Sequence, residues 1–118
     1  MLLKRIVNCM LLFVALSCTT LAQNTADYYK KREIMIPMRD GTRLYTAIYE
    51  PLNHKGSSPI LMARTPYGCR PYGKDMANLF TASLAHYARE GYIFVFQDVR
   101  GTSMSEGTYE NIRPVVLK

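Results

Sequence analysis

Few side chains in this 118-residue sequence are of types that make or break bonds, and their placement narrows the choice. Histidine, whose charge changes nearest neutral pH, is the usual proton carrier. His54 stands beside Lys55 in the polar run NHKGSS and reads as a surface residue. His86 lies in a helix-patterned stretch next to Leu84 and Tyr87 and reads as structural. With Cys69 these histidines form no metal-ligand spacing, so no zinc site is expected. The run Gly101-Thr102-Ser103-Met104-Ser105 imitates a nucleophile elbow. It fails because Ser105 stands where the sharp strand-to-helix turn requires glycine, and Glu106-Gly107-Thr108 opens no apolar helix. Gly101 and Gly107 lack a following Lys-Ser/Thr pair and make no phosphate cradle. Asp98 and Arg100 are expected to brace a loop through hydrogen bonds.

Tyr67 is different in kind. It follows the apolar run Ile60–Ala63 in the segment ILMARTPYG, where Pro66 breaks the strand and Gly68 permits a tight turn. A phenol is a neutral hydrogen-bond donor at pH 7 and can face a developing oxyanion without titrating. A tyrosine between proline and glycine is also an ordinary turn residue, so the spacing alone leaves both readings open.

The surrounding elements predict an α/β arrangement. Ile34, Ile36 and Met38 alternate, Arg39-Asp40-Gly41 supplies a turn, and Leu44, Thr46 and Ile48 resume the alternation, which predicts a hairpin ending at Pro51. Tyr45, Ala47 and Tyr49 line the other face of its second strand. The continuous run Ile60–Ala63 predicts a strand buried on both faces. From Ala77, the spacing of Phe80, Leu84, Tyr87 and Ala88 predicts an amphipathic helix capped by Gly91. Tyr92–Phe96 is the most apolar strand. A hairpin followed by strand, helix and strand is a βαβ unit in a mixed sheet. One helix cannot cover both faces of such a sheet, so the fold is expected to be incomplete.

Lys4 and Arg5 followed by the apolar stretch Ile6–Leu16 and the small-residue motif Thr20-Leu21-Ala22 predict a signal peptide over 1–22, cleaved after Ala22. Lipid attachment at Cys18 is the less favoured alternative. Export to the periplasm or the extracellular space is the expectation. Residues 23–31 read as a polar linker and 32–118 as the folded portion. No later stretch is long enough to span a membrane. The net charge of +6 is scattered, with Lys30-Lys31-Arg32 the single basic run, so no nucleic-acid partner is expected. Oligomeric state is left open.

Three blocks in order, IPMRDGTRLYTAIYEP, PILMARTPYG and YAREGYIFVFQDVRGTSMSEGTYE, resemble the amino-terminal part of the Xaa-Pro dipeptidyl-peptidase-like, cocaine esterase-like serine hydrolases. The most diagnostic piece is Arg100, Gly101, Ser105 and Gly107 in the pattern R-G-x-x-x-S-x-G. The resemblance runs from about Ile34 to about Pro114. It implies an α/β-hydrolase catalytic domain, usually with a helical cap and a jelly-roll domain. It also implies a Ser-Asp-His triad acting on a small ester, amide or peptide without a metal or organic cofactor. In that family a tyrosine of a P-Y motif donates to the oxyanion, a role that would fall to Tyr67. Some members that hold a substrate amine carry an acidic residue where this chain has Cys69. The nucleophile, in a G-x-S-Y-x-G elbow, would follow beyond Pro114, with the aspartate and histidine later still. The resemblance therefore implies an amino-terminal portion that lacks its triad and is inactive alone. A small exported non-catalytic binding or structural protein is the alternative.

Overall fold

The alternation at 34–48 folds as a hairpin, β1 (Tyr29–Pro37) against β2 (Arg43–Pro51), with Ile34 opposite Thr46 and Tyr29 opposite Pro51. The turn closes through Met38 N–H to the Thr42 carbonyl and Gly41 N–H to the Met38 carbonyl, and the Asp40 carboxylate accepts from Thr42 N–H. This computed structural model describes residues 23–111. The expected signal peptide, its cleavage point, Cys18 and the final segment 112–118 lie outside that range. No helix among the described residues is long and apolar enough to cross a membrane.

Two further strands, β3 (Ile60–Thr65) and β4 (Ile93–Asp98), pair in parallel, and β4 pairs antiparallel with β2, giving the mixed order β1-β2-β4-β3. Between them the chain is mostly irregular, closing with the short helix α1 (Ala85–Arg89). Gly91 ends the helix as expected, its N–H reaching the Ala88 carbonyl while Tyr92 N–H reaches that of Tyr87.

Three expectations need correction. The linker 23–31 is instead structured at its far end: β1 begins at Tyr29, which is 3% exposed, with its hydroxyl between the Ala88 and Tyr92 carbonyls. Thr25 is also buried, and its hydroxyl accepts from Leu79 N–H. The run Tyr28–Glu33 hid this strand because its apolar content is low. The second correction concerns Ile60–Ala63, which is an edge strand rather than one buried on both faces; Ile60 is 64% exposed and Met62 48%. A continuous apolar run records what a strand can bury, not what lies against it. Third, the helix expected from Ala77 is confined to 85–89, and the residues before it form turns. Leu79, not one of the expected helical positions, is the fully buried plug of that segment.

The core lies on one face of the sheet. Tyr45, Ala47 and Tyr49 of β2 meet Phe94 of β4, with Tyr29, Cys69, Leu79 and Ala88 packed over them. Pairing puts Ile34, Ile48, Val95 and Met62 on the opposite face, and none of these belongs to the core cluster. Leu79→Ala should therefore cost about 2–5 kcal/mol, the range for emptying a buried leucine site. Ile60→Ala should stay within about 0.5 kcal/mol, as for an exposed position. Urea denaturation of the two variants checks the assignment of plug and edge.

Candidate active site

β3 and β4 run parallel, so their carboxyl ends emerge side by side, with Thr65 in register with Asp98. This is the end of such a sheet where ligands are met. Pro66 has no N–H to extend the ladder, and the chain leaves β3 in a loop whose first bond is Tyr67 N–H to the Thr65 hydroxyl, 3.1 Å. Tyr67 is 91% exposed, the most open of the large apolar side chains among the described residues. Its hydroxyl makes no hydrogen bond among those residues.

Beneath the exposed tyrosine the loop is tightly held. Asp98 is fully buried. Its Oδ1 accepts from Cys69 N–H at 2.7 Å, and its Oδ2 accepts from the Tyr72 hydroxyl at 3.0 Å and from Met104 N–H at 3.1 Å. The bracing expected of Asp98 is thus what the structure shows. Its carbonyl accepts from the Ser105 hydroxyl, whose oxygen in turn accepts from Tyr45 N–H. Arg100 braces too, with its guanidinium on both carboxylate oxygens of Asp40 and on the Thr42 hydroxyl. Arg43 and Glu106 make a second such clasp. Together these tie the segment after β4 to the hairpin.

Sequence inspection missed Lys31 and Tyr72. The Lys31 ammonium is held by the carbonyls of Pro71, Gly73 and Asp75 and by the Glu33 carboxylate at 2.7 Å. A lysine inside KKR looks like a solvated charge, and its side chain is only 5% exposed. Tyr72 packs edge-on against Tyr45, ring centroids 5.1 Å apart. The one legible hint was a carboxylate closing the apolar run IFVFQ.

Cys69 is buried, and burial first, then the Asp98 carboxylate, pushes its thiol up to about 12. It is therefore a small apolar group, not a thiolate nucleophile. His86 is exposed and stacks edge-on with Tyr87. The exposed His54 ring Nδ1 lies 2.7 Å from the half-buried Ser58 hydroxyl, in an open groove with Lys55 and Arg89. That groove lies beyond the amino end of β3, a strand's length or roughly 20 Å from the Tyr67 loop at about 3.3 Å per residue. Neither histidine meets Tyr67. No group of three or more His, Cys, Asp or Glu among the described residues could hold a metal ion.

Gly68 adopts φ +90°, and a Cβ there would stand 2.9 Å from the Tyr72 hydroxyl oxygen and 3.0 Å from the Ser103 hydroxyl oxygen. Gly73 has φ +73° with open space around it. Gly73→Ala should cost about 1–2 kcal/mol from left-handed backbone strain alone. Gly68→Ala should cost more, because it also wedges apart the side chains beneath the loop; urea denaturation compares the two. The clasps predict a pH dependence. The hydrogen bond from Arg100 lowers the Asp40 carboxyl to about 2, and the bond from Arg43 lowers that of Glu106. Both pKa values fall below their unfolded values, so the contribution is full above the ordinary carboxylate range and is lost on acidification. For Asp40 the loss falls between its unfolded value of 3.8 and about 2. In Arg100→Met the melting temperature should fall less steeply across that window. The pair is exposed, so added salt should shrink the difference.

The geometry has relatives. Cocaine esterase of Rhodococcus sp. (strain MB1 Bresler) is 35% identical over 88 residues, covering 70% of this chain and 14% of that protein. An α-amino acid ester hydrolase structure superposes with a TM-score of 0.64 at 42% identity, over 82% of this chain and 17% of the other. An aminopeptidase from a marine-sediment Thaumarchaeota archaeon gives 0.62 at 33% identity, over 83% and 17%. The chain thus spans less than a fifth of the length of each of these relatives. Residues 40–114, more than half of the sequence, match the X-Pro dipeptidyl-peptidase (S15) family, and the chain belongs to that family.

Proposed function

We propose that this chain is the amino-terminal portion of an exported serine hydrolase with an α/β-hydrolase fold. The enzyme would cleave a small ester, amide or peptide through an acyl-enzyme. The observation that carries this reading is Tyr67: a neutral donor, 91% exposed, at the carboxyl end of the parallel strand pair, on a loop anchored from below. When a serine hydroxyl adds to the scissile carbonyl, the carbonyl electron pair moves onto oxygen and the serine proton passes to a base. A hydroxyl fixed at that oxygen stabilises the new negative charge more than it does the neutral carbonyl. Tyr67 supplies that donor, and a backbone N–H beside the nucleophile supplies the other. Side chains suffice for chemistry of this kind.

Substrate breadth follows from the relatives, which are named for an ester, for amino acid esters and for aminoterminal peptide cleavage. Cys69, buried and un-ionised, offers no carboxylate to a substrate amine. An acyl group without a free amine therefore suits this loop better.

The nucleophile, aspartate and histidine are assigned to sequence outside this chain. The Ser58–His54 pair is the one serine–histidine contact among the described residues, and it lies at the wrong end of β3. The chain alone should release p-nitrophenol from p-nitrophenyl acetate no faster than its Tyr67→Phe variant. Turnover above that control would show that the chain holds its own nucleophile and would overturn this assignment. In a protein that also carries the triad, Tyr67→Phe should lower kcat by 10²–10³, about 2.7–4 kcal/mol, with KM little changed.

A further inference from the structure

We propose that Asp98 is the positioning residue of the Tyr67 loop, its carboxylate holding the far end of the span 65–69 while the β3–β4 ladder holds the near end. At the near end, Thr65 is the register partner of Asp98 and its carbonyl accepts from Val99 N–H at 3.1 Å. At the far end, Cys69 N–H donates to Asp98 Oδ1 at 2.7 Å. Tyr67 sits midway. Its relevance to catalysis rests on the acyl-transfer reading; the anchoring itself does not.

Three features make this more than a loop hydrogen bond. Asp98 is fully buried and makes no salt bridge among the described residues, so its carboxyl oxygens are met by hydrogen-bond donors rather than by a cation. Burying a carboxylate is costly unless such donors are in place, so the loops must adopt the conformation that supplies them. The donors come from two loops, Cys69 and Tyr72 after β3 and Met104 after β4, so a single group ties both together. The Tyr72 hydroxyl also accepts from Cys69 N–H at 3.2 Å, closing a triangle over the carboxylate. That triangle lies directly beneath Gly68, where a Cβ would stand 2.9 Å from the Tyr72 hydroxyl oxygen.

The chain carries its own reporter. Cys69 is 6% exposed and becomes accessible only if its loop lifts. In the full chain with Cys9 and Cys18 replaced by serine, labelling of Cys69 by dithionitrobenzoate reads that opening. Hydrogen exchange at the Cys69 and Met104 amides, set against Ala47 and Phe94 in the sheet, separates local from global loosening. Asp98→Ala should raise Cys69 labelling at least tenfold and speed exchange at Cys69 and Met104, with Ala47 and Phe94 unchanged. Asp98→Asn keeps one acceptor oxygen and should fall between, and Tyr72→Phe should show a smaller increase of the same kind. Tyr67→Phe should leave all of these as in the parent. Parent-like labelling and exchange in Asp98→Ala and Tyr72→Phe would overturn the proposal. So would loosening spread equally over the sheet amides in Asp98→Ala, Asp98→Asn and Tyr72→Phe, since Asp98 would then serve general stability. A catalytic role for Tyr67 could fail while these readouts hold, and the reverse, so the two ideas are tested apart.

Discussion

A carboxylate withdrawn from water has to be surrounded by donors, and Asp98 makes the loops of this chain answer to that requirement. The donors available at the end of β4 are backbone amides and one phenol, so satisfying the charge means folding two loops over it in one conformation. The bonds continue outward. The Asp98 carbonyl receives the Ser105 hydroxyl, and Ser105 receives the amide of Tyr45, which lies in the core. Loop order and core order are thus joined through residues at the ends of β2 and β4. The loop side of this junction rests on three bonds to the Asp98 carboxylate, and the core side on neutral bonds through Ser105.

The sheet is asymmetric. One face carries a core rich in tyrosine, where each ring fills volume and two hydroxyls reach past it to backbone: Tyr29 to the Ala88 and Tyr92 carbonyls, and Tyr49 from Ala77 N–H. These long polar-tipped side chains let an irregular segment, 69–84, serve as the cover a longer helix would otherwise provide. The other face presents isoleucines, Val95 and Met62 around Gln97, whose Nε2 donates to Thr46 but whose Oε1 is buried without a partner among the described residues.

How much of this was legible depended on whether the signal was local. The hairpin, the parallel β3–β4 pair and the Gly91 stop follow from alternation, apolar runs and cap chemistry. The loop that carries Tyr67 was legible because Pro66 and Gly68 announce it. The depth of Lys31 was not, because it depends on three carbonyls some forty positions away in the chain. The exposure of Ile60 and Met62 was hidden for the same reason, since edge position is a property of strand order and not of composition. The helix was over-read because Phe80, Leu84 and Tyr87 have helical spacing whether or not the backbone between them is helical. Leu79, one place off that stripe, took the buried site instead.

These points bear on why an oxyanion donor would be carried on such a loop. A phenol that is 91% exposed gains nothing from packing, so its position can come only from the backbone beneath it. Catalytic donors act through being fixed before charge develops, because reorganising at the moment of reaction would use up the stabilisation they provide. On the proposed reading, that prearrangement falls to a buried carboxylate, a second tyrosine, and a lysine whose ammonium holds the 71–75 segment. The exposed side chain is then free to be chosen for its chemistry alone. Under the proposed acyl-transfer function, a tyrosine in that place would bring a donor without a charge, leaving the neutral ground-state carbonyl only weakly favoured and the tetrahedral oxyanion strongly so.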